Sequence, residues 1–398
     1  MVNRMAENAS APQLAVSRKR KLPRPAGTAV NCTTALIRYL WAMRSVMGVS
    51  RLTELTPLDC LRIPVVAAIR PSARTGQITT CQGKGLRLRS AIAGALMEAA
   101  ERFSCSEFSD TVEIKESQLT AEELDGTNAP EEKIVEAVWG TSLISGKRLA
   151  VRASAVLFPY HRWSSKDLGP RPNTSGLAAG ATPHHATLNA LLELVERDAV
   201  SRFFEGEDVF RVDASAITDP ASTQILNRFR ERKIDVLIAR LPTIHGIESV
   251  KAFALDNLSC QSHLAVTGQA ADLVLSGAIR KALLELCQAR ATAIQASRED
   301  FSRYRISWRA EYSKVRETFE FLRGHLGQHD TPLALMLEEP PRAEPLAIAL
   351  RALSSAGYSE AIAFDLTNEQ LDIPVFRVLV PGLADTFIGN VRVHHHAS

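Results

Sequence analysis

Leu96-Met97-Glu98-Ala99-Ala100-Glu101-Arg102 returns later in the chain as Leu192-Glu193-Leu194-Val195-Glu196-Arg197, so one Glu-x-x-Glu-Arg pattern occurs twice. Each copy follows a glycine-containing stretch, Gln82-Gly83-Lys84-Gly85-Leu86 before the first and Asn173-Thr174-Ser175-Gly176-Leu177-Ala178-Ala179-Gly180 before the second. At about 100° per residue, Glu193 and Glu196 stand roughly 60° apart on one helix face, with Asn189 between them. The apolar stripe Leu188, Leu191, Leu192, Val195, Ala199 and Phe203 runs beside that face, so both carboxylates border the core. Glu98 and Glu101 border Leu96, Met97, Ala100 and Phe103 in the same way. Like charges three residues apart cost roughly 0.2–0.5 kcal/mol on an isolated helix, and more at a buried border unless a cation offsets them. One copy is explained by each glutamate pairing with its own arginine; two copies behind glycine loops point to a shared cation. An all-oxygen donor set suits magnesium, which keeps water and phosphate oxygens in its shell. Zinc prefers His or Cys, and neither helix supplies them at ligand spacing.

Working outward, helices are expected near residues 33–47, 89–104, 184–205 and 275–298, and more polar helical sequence over 308–350. Strands are expected at Ile63 to Ile69, Val236 to Ile238, Val250 to Ala254 and Ile373 to Val380, with loop after Gly382. In the third strong helix, Lys281, Glu285 and Gln288 share a face, as an amphipathic surface helix or a nucleotide contact would place them. Gly83-Lys84-Gly85 can bring backbone and one positive charge to a phosphate, but the Walker A pattern is absent and the stretch taken alone reads as an ordinary turn. His184-His185 read as surface or capping residues at a helix start, and His394-His395-His396 as a terminal tract.

The 398 residues are 45% hydrophobic and 23% charged, which excludes a disordered chain. No apolar stretch approaches the roughly 20 residues of a membrane span. The net charge of +3 conceals a basic arm: residues 1–30 hold Arg4, Arg18, Lys19, Arg20, Lys21 and Arg24 against Glu7 alone. Basic charge confined to an arm reads as a solvated tail and excludes a nucleic-acid-binding face. The arm runs into Pro23-Arg24-Pro25 without an apolar core, so it is no signal peptide, and a cytoplasmic location follows. Cys32, Cys60, Cys81, Cys105, Cys260 and Cys287 show no CxxC spacing, which argues against a zinc site and a disulfide framework.

Together, QGKGL…EAAER at 82–102, SGLAAG…LLELVERDA at 175–199 and RKALLELCQAR at 280–290 resemble the YcaO family, whose members use ATP to activate backbone amides of peptides. The resemblance spans roughly residues 45–385. It implies an α+β fold with helices packed on β-sheets and a nucleotide cleft lined by the two repeated helices. It further implies ATP and Mg2+ as cofactors, with Glu98, Glu101, Glu193 and Glu196 as metal ligands. Lys84, Asn189, Arg197, Gln288 and Arg290 would contact nucleotide or phosphate. In the implied reaction a nucleophile adds to an amide carbon and the amide oxygen receives the γ-phosphoryl group. A substrate Cys, Ser or Thr then gives an azoline, and external sulfide gives a thioamide. The sequences Asp372 to Leu383 and Ser297 to Asp300 look closest to the subgroup that accompanies a TfuA-type partner or processes trifolitoxin-like bacteriocins.

Residues 1–44 are expected as a basic, partly disordered lead-in carrying the first helix, 45–385 as the catalytic domain and 386–398 as a flexible tail. Neither flank is large enough for a leader-binding domain of at least roughly 50 residues. A ribosomally made precursor peptide is therefore expected to arrive with a separately encoded TfuA-like or leader-binding partner, with no nucleic acid or membrane involved. A homodimer is open to the chain, and a non-catalytic binding subunit is the alternative function. Three positions depart from the resembled pattern. Gly94 stands where many members have Ser, Gly27 is followed by Thr28 rather than a base, and the PxPxP ending of many azoline-forming members is absent.

Overall fold

The computed structural model describes residues 29–74, 76–115, 119, 134–160, 172–296, 311–326, 344–384, 386–388 and 391–393. Expectations for residues 1–26, Ser297 to Asp300 and His394 to His396 fall outside them. Three antiparallel sheets carry the site. The first orders β1 (Arg51–Glu54), β2 (Val65–Ile69) and β3 (Thr80–Lys84) side by side. The second orders β11 (Val266–Asp272), β10 (Glu248–Asp256), β9 (Ile234–Arg240) and β8 (Phe210–Arg211). The third orders β4 (Val112–Lys115), β5 (Ile134–Ser142), β12 (Ile362–Asp365), β13 (Val375–Leu379) and β7 (Leu177–Ala179), with β6 (Arg148–Arg152) also on β5. Thus β3, β7 and β11 each lie at an edge, and each precedes a long helix.

Those helices are α2 (Leu88–Ser106), α4 (Pro183–Phe204) and α6 (Leu275–Gln295). The others are α1 (Ala29–Ala42), the single-turn α3 (Ala153–Val156), α5 (Pro220–Glu231), α7 (Tyr312–Leu326) and α8 (Pro345–Ser355). Thr182 caps α4 by accepting from the His185 N–H, with Pro183 in the first turn where its missing donor costs nothing. α2 lies directly on the first sheet because small residues line its inner face: Ala91, Ala95 and Ala99 are fully buried. Gly83 sits beneath them, and a Cβ on Gly94 would come within 3.1 Å of the Gly83 Cα. The Gly94 departure therefore belongs to this close helix–strand approach.

α4 is wedged between two sheets. Leu191, Leu194 and Val195 pack with Phe376 and Val378 of the third sheet. Ala199, Val200 and Phe203 pack with Leu237 and Phe253 of the second. α6 covers the opposite face of the second sheet through Ala278, Ala282, Leu283 and Leu286. The fold is α+β, as expected. Two expectations need correction. The first helix begins at Ala29 and ends at Ala42, with turns continuing to Gly48, whose φ of +72° suits glycine. The sequence after Gly382 is not all loop, because β14 (Thr386–Ile388) pairs antiparallel with β15 (Val391–Val393). Two three-residue strands are too short to show an alternating pattern.

Candidate active site at three sheet edges

An edge strand presents unpaired N–H groups, which need partners when a helix covers them. Here carboxylates fill that role. Glu98 Oε2 accepts the Gln82 N–H of β3 at 2.6 Å, and Glu193 Oε2 accepts the Gly176 N–H just before β7 at 3.2 Å. Each of these glutamates also meets the arginine four residues on. Arg102 Nη2 lies 3.4 Å from Glu98 and Arg197 Nη2 3.2 Å from Glu193. The sequence repeat is thus a repeat of geometry.

The second glutamate of each pair reaches across to the next unit. Glu101 Oε2 accepts the Ala179 N–H of β7 at 3.3 Å, while the Gln269 side chain of β11 bonds Glu196. α6 completes a ring. Glu285 meets the main-chain N–H of Gln269 on its own strand and accepts from Lys84 Nζ of β3 at 2.9 Å. Gln288 Nε2 and the Thr292 hydroxyl both donate to Gln82 Oε1, at 3.2 and 2.8 Å. Glu285 and Gln288 keep the three-residue spacing of Glu98 with Glu101 and of Glu193 with Glu196. Sequence reasoning placed Glu285 on a face without assigning it to the site; its spacing, behind Gly268 on β11, was the available signal. Gln269 and Lys251 were missed altogether.

The ring brings Lys84, Asn189, Arg197 and Gln288 to one place with the four repeated glutamates. Asn189 lies one turn before Glu193, its amide 3.4 Å from His185 Nε2. Arg290 goes elsewhere. It is 3% exposed, with Nε 2.9 Å from Asp59 and Nη2 2.7 Å from Asp256. Its position explains the difference, since it stands five residues after Glu285 whereas Arg102 and Arg197 stand four after their glutamates. One more residue turns the side chain about 100° toward the core. Arg290 thus forms a buried double ion pair that ties α6 to Asp59 and to Asp256 of β10.

Crowded charge shows in the ionisation of the site. Burial pushes Glu101 up to about 8, with Glu98 and Glu193 adding to the shift and Arg102 opposing it. Burial also lifts Glu196 to about 7, helped by Glu285 and Glu193 against Arg197 and Gln269. For Glu285 burial also acts upward, but Lys84, Arg197 and the Gln269 N–H hold it below the ordinary carboxylate value. Lys251 is pushed down to about 8 by burial, which Glu285 and Glu196 only partly offset. Buried carboxylates whose charges also oppose one another form a donor set that fits a hard divalent cation. Among the described residues, no three His, Cys, Asp or Glu side chains close into a metal cage by themselves. A magnesium ion here would complete its shell with water and phosphate.

A stability effect follows. Between about 4.5 and about 8 the folded chain keeps a proton on Glu101 that the unfolded chain has released. That contribution is full at acid pH and lost as pH rises through the folded value. Without divalent metal, melting temperature should fall from about pH 5.5 to about pH 8, and Glu101→Gln should flatten the slope. Equal slopes in both proteins would contradict the assignment.

A family model described as YcaO cyclodehydratase, ATP- and Mg2+-binding, matches residues 82–384. The chain belongs to the YcaO family. A protein of Methanothermobacter thermautotrophicus is 32% identical over 357 residues, covering 85% of this chain and 90% of the relative. A Rhizobium leguminosarum bv. trifolii protein encoded in a tfuA 3′ region is 28% identical over 368 residues, covering 84% of each. Among solved structures, YcaO from Methanopyrus kandleri bound with AMPPCP and Mg2+ superposes with a TM-score of 0.69 at 22% identity, covering 89% of this chain and 91% of that one. The E. coli microcin synthetase McbBCD complex with pro-MccB17 bound gives 0.63 at 16% identity, covering 83% and 88%. These two share the fold. Among the described residues no helix is long and apolar enough to cross a membrane.

Proposed function

We propose that this chain is an ATP- and Mg2+-dependent enzyme that activates backbone amides of a ribosomally made precursor peptide, forming azolines or thioamides. The observation that carries the reading is the ring of carboxylates at three sheet edges, where burial first, and neighbouring carboxylates second, raise Glu101 and Glu196. Glu98, Glu101, Glu193 and Glu196 would hold magnesium, and Lys84, Asn189, Arg197 and Gln288 would meet the nucleotide. Bound ATP supplies the phosphoryl group that makes an amide oxygen able to leave. The chain's own work is to align phosphate and amide and to balance charge, which suffices for phosphoryl transfer. Lys84 and Arg197 are the cations placed for that task, since each already lies beside a carboxylate of the ring.

A bacteriocin-like precursor, trifolitoxin-like in class, and a TfuA-like partner extend the proposal. The relative encoded in a tfuA 3′ region supports the partner. The test is ATP hydrolysis by the purified chain, with and without precursor and partner, followed by mass spectrometry of the peptide. Magnesium-dependent hydrolysis stimulated by peptide is expected. Loss of one water per site identifies azolines, and replacement of one oxygen by sulfur identifies thioamides. Nucleotide binding without turnover under every combination would instead identify a non-catalytic subunit.

A further inference from the structure

Lys251 is the unusual residue of the second sheet. It lies in the middle of β10 and is 5% exposed, although lysine is almost never buried without a partner. Its register partner on β11 is Gln269, so both side chains leave the same face of the sheet. That face meets α4: neighbouring Phe253 packs with Ala199, Val200 and Phe203. The Lys251 ammonium stands 5.7 Å from the Phe204 ring centre and 5.8 Å from that of Phe253. Among the described residues no carboxylate forms a direct ion pair with it. Its hydrogen bond goes to Gln269 Oε1 at 2.9 Å.

That bond has a directional consequence. An ammonium only donates, so it fixes the Gln269 amide with oxygen toward Lys251 and the NH2 group away from it. The NH2 group then faces Glu196, which accepts from the Gln269 side chain. The Gln269 main-chain N–H meanwhile serves Glu285. With an apolar residue at 251, the amide keeps only its bond to Glu196 and loses the donor that fixes its oxygen end.

We infer that Lys251 is a positioning residue which, by orienting the Gln269 amide, aims Glu196 into the metal-nucleotide site. The inference rests on the proposed magnesium-nucleotide reading of the carboxylate ring. In this reading Lys251 acts through one side chain, the Gln269 amide. Its burial is unfavourable in itself, so the chain gives up stability to hold one carboxylate in place.

The experiment measures magnesium affinity by calorimetry in the presence of a non-hydrolysable ATP analogue, together with melting temperature of the metal-free protein. Lys251→Met should weaken magnesium binding by about 10–100-fold, the usual effect of losing an outer partner of a ligand. Its melting temperature should be unchanged or higher, because a buried charge is replaced by an apolar chain of similar size. Gln269→Met should weaken binding to the same extent but lower the melting temperature, since it strands the Lys251 ammonium without an acceptor. The double variant should recover stability while binding no more weakly than either single variant. A purely structural Lys251 would move stability and leave affinity alone. Affinity that is unchanged or tighter in Lys251→Met overturns the inference while leaving the magnesium reading intact. If Lys251→Met does not fold, wild-type affinity in Gln269→Met overturns it equally. Failure of the wild-type chain to bind magnesium with nucleotide overturns both.

Discussion

Glu193→Gln is expected to reduce magnesium-dependent ATP turnover by about 10²–10³-fold while the chain stays folded. The size follows from the several kcal/mol that a bound metal contributes to phosphoryl chemistry, at about 1.4 kcal/mol per factor of ten. The selectivity follows from geometry. Glu193 accepts the Gly176 N–H through Oε2, and a glutamine oxygen accepts the same bond without a change of shape. Arg197 loses one charged partner, but Glu196 and Glu285 remain beside it. Fold and loop are therefore retained, and the lost quantity is negative charge at the proposed cation site. Glu98→Gln should act similarly, because Glu98 holds the same place against Gln82 and Arg102 in the other repeat. Turnover near the wild-type rate in the Glu98→Gln, Glu193→Gln double variant would end the idea of a shared metal. Melting curves and nucleotide binding on the same samples separate that outcome from misfolding.

The repeat was legible because both copies lie on helices, where an i, i+3 spacing fixes a shared face. The helices α2, α4 and α6 were bounded within a few residues for the same reason. Three features lay beyond the sequence. The first is the ring itself. That Glu101 reaches β7 and Glu285 reaches Lys84 depends on three sheets meeting at their edges, and edge position is set by strand order rather than by local pattern. The second is Arg290, whose partners Asp59 and Asp256 stand far from it in sequence. A helix wheel shows that its direction differs from Arg102 and Arg197 but not what awaits it. The third is Lys251. Val250-Lys251-Ala252-Phe253-Ala254 gave a strand, and the lysine within that apolar run was the visible irregularity. Only the register with Gln269 turns it into a contact.

Among the described glycines, Gly83→Ala is expected to be the most damaging change to alanine. A Cβ built on Gly83 would overlap the Ala91 carbonyl oxygen and the Ala95 amide nitrogen of α2. Both are helix backbone, so no rotamer change relieves the overlap. Overpacking a tight core costs typically 1–3 kcal/mol, and a clash with several backbone atoms of one helix belongs at or above about 3 kcal/mol. The alternative to that cost is movement of α2 away from β3, and such movement acts directly on the site. Gln82 and Lys84, the neighbours of Gly83, hold Glu98 and Glu285. A shift of α2 would stretch the 2.6 Å bond to Glu98 and separate the first repeat from the ring. Gly83→Ala should thus lower the melting temperature by several degrees and weaken magnesium-nucleotide binding together. Gly146→Ala is the control. Gly146 also resists substitution, with φ of +73°, but a Cβ there meets nothing within 4 Å. That change should cost only about 1 kcal/mol of backbone strain and leave binding at the wild-type level. If Gly83→Ala binds and melts like Gly146→Ala, the close approach of α2 to β3 is not what holds the first pair of carboxylates in place.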